Sequence, residues 1–77
     1  MEELERNLGQ QPIAKIMADL GLDAHALVAA SEVPMTHKMV ARAAKGRRLT
    51  RNTQEIVRRA LVRAAGRPFE RSDLFTY

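Results

Sequence analysis

Thr36-His37-Lys38-Met39-Val40-Ala41-Arg42-Ala43-Ala44-Lys45-Gly46 is the most informative segment of the chain. Thr36 suits a helix N-cap, because its hydroxyl can accept a backbone N–H of the first turn. Gly46 suits the stop, since glycine enters the left-handed region without a Cβ clash. Between them, Val40 and Ala43 lie one helical turn apart and share a face. His37, Lys38, Ala41, Arg42 and Lys45 fall on the other side. The spacing predicts a helix over 36–45 with one apolar face and one basic face.

Downstream, Gly46-Arg47-Arg48-Leu49 reads as a basic linker. Thr50 or Asn52 caps the next helix, and Asn52 with Glu55 three residues on has the spacing of a capping box. Ile56, Val57, Ala60, Leu61, Ala64 and Ala65 form its apolar face, while Arg58, Arg59 and Arg63 point outward into solvent. Gly66 and Pro68 end it. The segment 67–77 holds every aromatic residue of the chain, Phe69, Phe75 and Tyr77, together with Leu74. Leaving that apolar area in water would be costly, so an apolar tail docked over the helices is expected.

Upstream, Pro34 interrupts the chain and biases Val33 toward extended backbone. Asp23 caps a short helix that turns Leu27 and Val28 inward. Before it, Pro12 stands at a first helical position, where the missing N–H has no intrahelical partner to lose. Ile13, Ile16, Met17 and Leu20 share one face, and Gly21 closes that helix. Residues 1–10 form a polar N-terminal extension, and residues 11–66 form the domain proper. No β-branched alternation and no internal repeat is visible. The pattern predicts an all-α, compact four- to five-helix bundle.

The 77 residues carry a net charge of +4, distributed unevenly. Residues 1–35 hold two cations against six acids, a net of −4, whereas residues 36–71 hold eleven against two, a net of +9. Such a field attracts polyanions. With no cysteine, a disulfide framework and a thiolate zinc site are excluded. The longest apolar run, Ala26 to Ala30, is far too short to span a bilayer. The acidic start, Met1-Glu2-Glu3-Leu4-Glu5, lacks the order of a signal peptide. A soluble, cytoplasmic protein is expected, with no membrane partner.

The order of these elements resembles the lambda-repressor-like (Cro/cI) helix-turn-helix family over roughly residues 11–61. Leu22, Leu27 and Val28, then Thr36, Val40, Ala43 and Gly46, then Gly46-Arg47-Arg48-Leu49-Thr50 with Ile56 to Leu61, carry the resemblance. It implies sequence-specific binding of double-stranded DNA by a transcription regulator, with helix 36–45 in the major groove and a homodimer as an open option. On that reading Thr36, His37, Lys38, Ala41 and Arg42 are base-contacting. Lys45, Arg47, Arg48, Thr50, Arg51 and Asn52 are phosphate-contacting. Arg42 is the best reader of guanine, since only arginine offers a planar fork. The stretch Ser31–Met35, read from a helix starting at Leu22, is about two residues longer than the family's turn and lacks its usual glycine.

Ser31 and Ser72 have no base at nucleophile spacing, so no enzyme is expected. His25 and His37 alone make a poor metal site, and no cofactor or small-molecule ligand is expected. His37 is read as a surface contact and His25 as structural or exposed. Met17, Met35 and Met39 are read as core or turn filler. A protein-interaction module of the same fold, without DNA reading, is the alternative.

Overall fold

The structure is a computed structural model and describes residues 8–77. Five α-helices carry the described chain: α1 Pro12–Leu20, α2 Ala24–Ala30, α3 His37–Lys45, α4 Arg51–Ala65 and α5 Arg71–Leu74. No sheet forms among the described residues. The all-helical class expected from the periodicity is the one observed.

Local chemistry explains most boundaries. Pro12 opens α1, and Gly21 ends it at φ 69°, while Leu22 N–H returns to Met17 O at 2.9 Å. The Asp23 carboxylate accepts Ala26 N–H at 2.9 Å. Thr36 Oγ1 accepts Met39 N–H at 3.1 Å, and Gly46 closes α3. Thr50, rather than Asn52, caps α4: its Oγ1 accepts Thr53 N–H at 3.1 Å. The box between Asn52 and Glu55 does not form: Asn52 lies inside α4, and the Glu55 carboxylate pairs with Arg58 and Arg59. Helix α2 begins at Ala24, behind the Asp23 cap and not at Leu22, and it ends at Ala30, so the connector to α3 runs over the six residues 31–36.

The apolar faces then meet. Ile13 and Met17 from α1, Leu27 from α2, Val40 and Ala43 from α3, and Val57, Ala60 and Leu61 from α4 are all buried. Val28 is only partly covered. Helix α2 lies along α4, and α3 packs on α1, α2 and α4. This inner attachment holds α3 rigidly while its other face stays in solvent. The segment after Gly66 does more than cover the bundle. Phe69, Leu74 and Phe75 are buried core members, and the short α5, which the sequence does not announce, packs on α1 and α4. Met17 is in the core, and Met35 and Met39 pack against it.

The expected extension over residues 1–10 lies mostly outside the described residues. Its described end is tied down: Leu8 N–H donates to Gly46 O at 2.7 Å. Gln11 is 2% exposed and joins both ends of the described chain. Its amide donates to Gly9 O, and its Oε1 accepts Thr76 N–H at 2.7 Å and Thr76 Oγ1 at 3.0 Å.

Candidate nucleic-acid interface

Because Val40 and Ala43 face the core, the helical repeat turns Lys38, Ala41, Arg42 and Lys45 to solvent. Thr36 and His37 are exposed as well. Two shallow grooves flank this ridge. One, of about 360 Å³, runs between α3 and the start of α4 and includes Thr36, Lys38, Arg42, Arg48 and Thr50. The other, of about 320 Å³, is lined by Lys38, Ala41, Arg42, Lys45 and Arg47. Lys38 and Arg42 border both, so they form the crest between the grooves. The small side chain of Ala41 leaves the backbone of α3 accessible beside them.

Three expected site residues, His37, Arg51 and Asn52, line neither groove. The His37 ring stacks on His25 of α2, with centroids 5.7 Å apart and 21° between planes. Asn52 lines a separate groove with Val33, Pro34 and Ile56. Arg51 is exposed at the first turn of α4.

The cations of the basic half divide into two sets. Of the three arginines expected to point outward on α4, Arg59 and Arg63 are exposed and Arg58 is half-buried, and all three have partners. Arg58 Nε donates to Glu55 Oε1 at 2.9 Å and its Nη1 to Phe69 O at 2.9 Å. Arg59 Nε pairs with Glu55 at 2.9 Å. Arg63 Nε donates to Ala30 O at 2.7 Å, satisfying a carbonyl at the end of α2, and its Nη1 lies 3.3 Å from Glu32. Glu55 lies on α4 itself, while Phe69, Ala30 and Glu32 come from other segments of the fold. The Arg58 hydrogen bond, and then that of Arg59, hold the Glu55 carboxyl at about 2, well below its ordinary range. Glu55 in turn raises Arg58.

By contrast, Lys38, Arg42, Lys45, Arg47, Arg48 and Arg51 make no ion pair with any described residue. These six exposed cations lie on α3, the linker that follows and the first turn of α4. An anion with regularly spaced charges is the natural complement of such a surface.

The linker is held from a place the sequence reading missed. Tyr77 Oη donates to Arg47 O at 3.1 Å and accepts Leu49 N–H at 3.0 Å. The Arg48 guanidinium lies 5.9 Å from the centre of the Tyr77 ring. The only advance signal was an aromatic residue with a polar tip in an otherwise apolar tail. No spacing rule links it to residues 28 positions away.

Among the described residues, no group of three or more metal-ligating side chains is present, and no helix is long and apolar enough to cross a membrane. No family model, no curated protein and no solved structure matches this chain.

Proposed function

We propose that this domain binds double-stranded DNA sequence-specifically as a transcription regulator of the cytoplasm, not as an enzyme. On this reading α2 and α3 form a lambda-repressor-like helix-turn-helix, and α3 enters the major groove. One observation carries it: α3 buries Val40 and Ala43 while presenting Lys38, Arg42 and Lys45 to solvent, beside the exposed Arg47 and Arg48, none of them in an ion pair with a described residue. An α-helix fits the major groove, and its exposed donors meet phosphates and base edges there. Lys38 and Arg42, on the crest, reach deepest; Thr36 and Ala41 border them. Lys45, Arg47, Arg48, Thr50 and Arg51 hold the backbone.

The test is fluorescence anisotropy of a labelled duplex titrated with the protein as salt rises. Displacing ions from about six phosphates gives a log–log salt slope near −5 and a loss of roughly 10³-fold between 50 and 200 mM salt. Absence of binding to any duplex at the lowest salt overturns the reading. Selection from a random duplex pool then gives the preferred sequence, and a palindrome would mark a homodimer.

A protein-interaction module of the same fold is the second reading. It is favoured by the half-exposed Val33 in a groove of about 390 Å³ with Pro34 and Ile56. Salt-insensitive capture of a protein partner, with no duplex affinity, would select it.

A further inference from the structure

We propose that Tyr77 positions the segment Arg47–Leu49 for DNA, so that the C-terminal tail tunes a surface on the far side of the α3–α4 corner. The inference rests on the DNA reading above and adds to it a residue outside the helix-turn-helix.

Between the C-cap Gly46 and the N-cap Thr50, the linker has no helical ladder of its own. Arg47 N–H returns to Arg42 O at 3.0 Å, which fixes the entry into the linker. Beyond that point one side chain meets three successive residues. The Tyr77 hydroxyl spends its single proton on Arg47 O and a lone pair on Leu49 N–H. Its ring lies under the Arg48 guanidinium. Both linker arginines are thus placed through one phenol.

The phenol is itself held in place. The buried Phe75 meets the Tyr77 ring edge-on, at 5.8 Å and 63°. Thr76, between them, bonds twice to the buried Gln11 side chain. The tail therefore reaches the linker from an anchored base, not as a loose end. A linker ordered before binding loses less freedom when phosphates arrive, and that saving appears as affinity. Without the hydroxyl, two backbone groups return to water and both arginines sample more directions.

The experiment compares the wild-type chain with Tyr77→Phe, which keeps the ring over Arg48 and removes only the hydroxyl. Duplex binding is read by anisotropy across a salt series, and Leu49 amide exchange by NMR. Leu27→Val is the control: it loosens the core at α2, away from the tail, and leaves the ring and hydroxyl of Tyr77 untouched. Tyr77→Phe is expected to bind about three- to tenfold more weakly, the scale of one net hydrogen bond. Its salt slope should fall by about one phosphate contact, and the Leu49 amide should exchange faster. Leu27→Val should melt earlier yet keep its salt slope and, in its folded fraction, its affinity. Wild-type binding with Tyr77→Phe unchanged in affinity and slope overturns this proposal alone. An equal slope loss in Leu27→Val also overturns it, because the hydroxyl would then act only through stability. A folded wild-type chain that binds no duplex removes the DNA reading, and this proposal with it.

Discussion

The rings of His25 and His37 stack across α2 and α3, 5.7 Å between centroids and 21° from parallel. His37 is the first residue of α3, where the family resemblance implies a base contact. Its ring instead rests on the neighbouring helix, bracing the end of α3 that begins the exposed face. Single and double His→Ala variants, compared by urea unfolding, should show a coupling of about 0.5 kcal/mol, the low end for aromatic pairs because both rings are exposed. Purely additive losses would show that the stack does not brace the helices.

Arg42 and Arg47 should fail differently in DNA binding. Arg42 lies on the crest between the two grooves, whereas Arg47 lines only the outer one. Arg42→Ala should cost ~1–3 kcal/mol on the preferred duplex and little on unrelated ones. Arg47→Ala should weaken all duplexes alike and lower the salt slope by about one. His37→Ala should cost less than Arg42→Ala on the preferred duplex. Competition titrations against unrelated sequence separate these cases; equal loss of preference in the Arg42 and Arg47 variants would contradict the assignment.

Glu55 makes stability depend on acid. Its carboxyl lies at about 2 in the folded chain, against an ordinary 4.5, because Arg58 and Arg59 bond its charged form. The depressed value means that the contribution is complete above about 4.5 and is lost as pH falls through about 2. The side chain is 37% exposed, so solvent screens the pairs, and Glu55→Gln should cost only ~0.2–1 kcal/mol at neutral pH. Melting of the two proteins between pH 6 and 2 should converge toward the acid end. A constant difference would mean that Glu55 acts by shape, not charge.

Gly46 is required twice over. Its φ is +90°, and an added Cβ would stand 1.7 Å from Gly9 O. Gly21 is also left-handed, at φ +69°, but a Cβ there meets nothing within 4 Å. Gly21→Ala should therefore cost only the backbone penalty, ~1–2 kcal/mol. Gly46→Ala must also push Leu8 and Gly9 away and should cost clearly more than ~2 kcal/mol. Equal losses in chemical denaturation would show that the approach of Gly9 is not needed.

Leu74 tests whether the tail belongs to the core. It is fully buried against α1 and α4. Leu74→Ala should cost ~2–5 kcal/mol, as cavities in close-packed cores do. For a chain of this size the melting temperature should then fall by more than ~10 °C. Loss of under ~1 kcal/mol would mark the tail as a detachable cover.

Much of this architecture is legible in the residues. Asp23, Thr36, Gly21, Gly46 and Gly66 act through hydrogen bonds spanning at most five residues, and Pro12 through its fixed φ and missing N–H, so their roles follow from local rules. The two faces of α3 follow from helical periodicity, which places Val40 and Ala43 opposite Lys38 and Arg42. The site is less legible than the fold. All eleven cations of residues 36–71 look alike in the sequence, yet Arg58, Arg59 and Arg63 are engaged by other segments or by Glu55, whereas Lys38, Arg42 and Lys45 form no ion pair with a described residue.

The sequence by itself determined the all-helical class, the caps and the basic face of α3, because each depends on neighbours within about a turn. Only the tertiary structure decided which arginines are paired, where His37 rests and how the linker is held. Those outcomes depend on partners far along the chain, Tyr77 with Leu49 across 28 positions and Gln11 with Thr76 across 65. No periodicity encodes such pairs; they arise when buried faces such as those of Phe75 and Leu27 close one core and bring their polar neighbours within bonding distance.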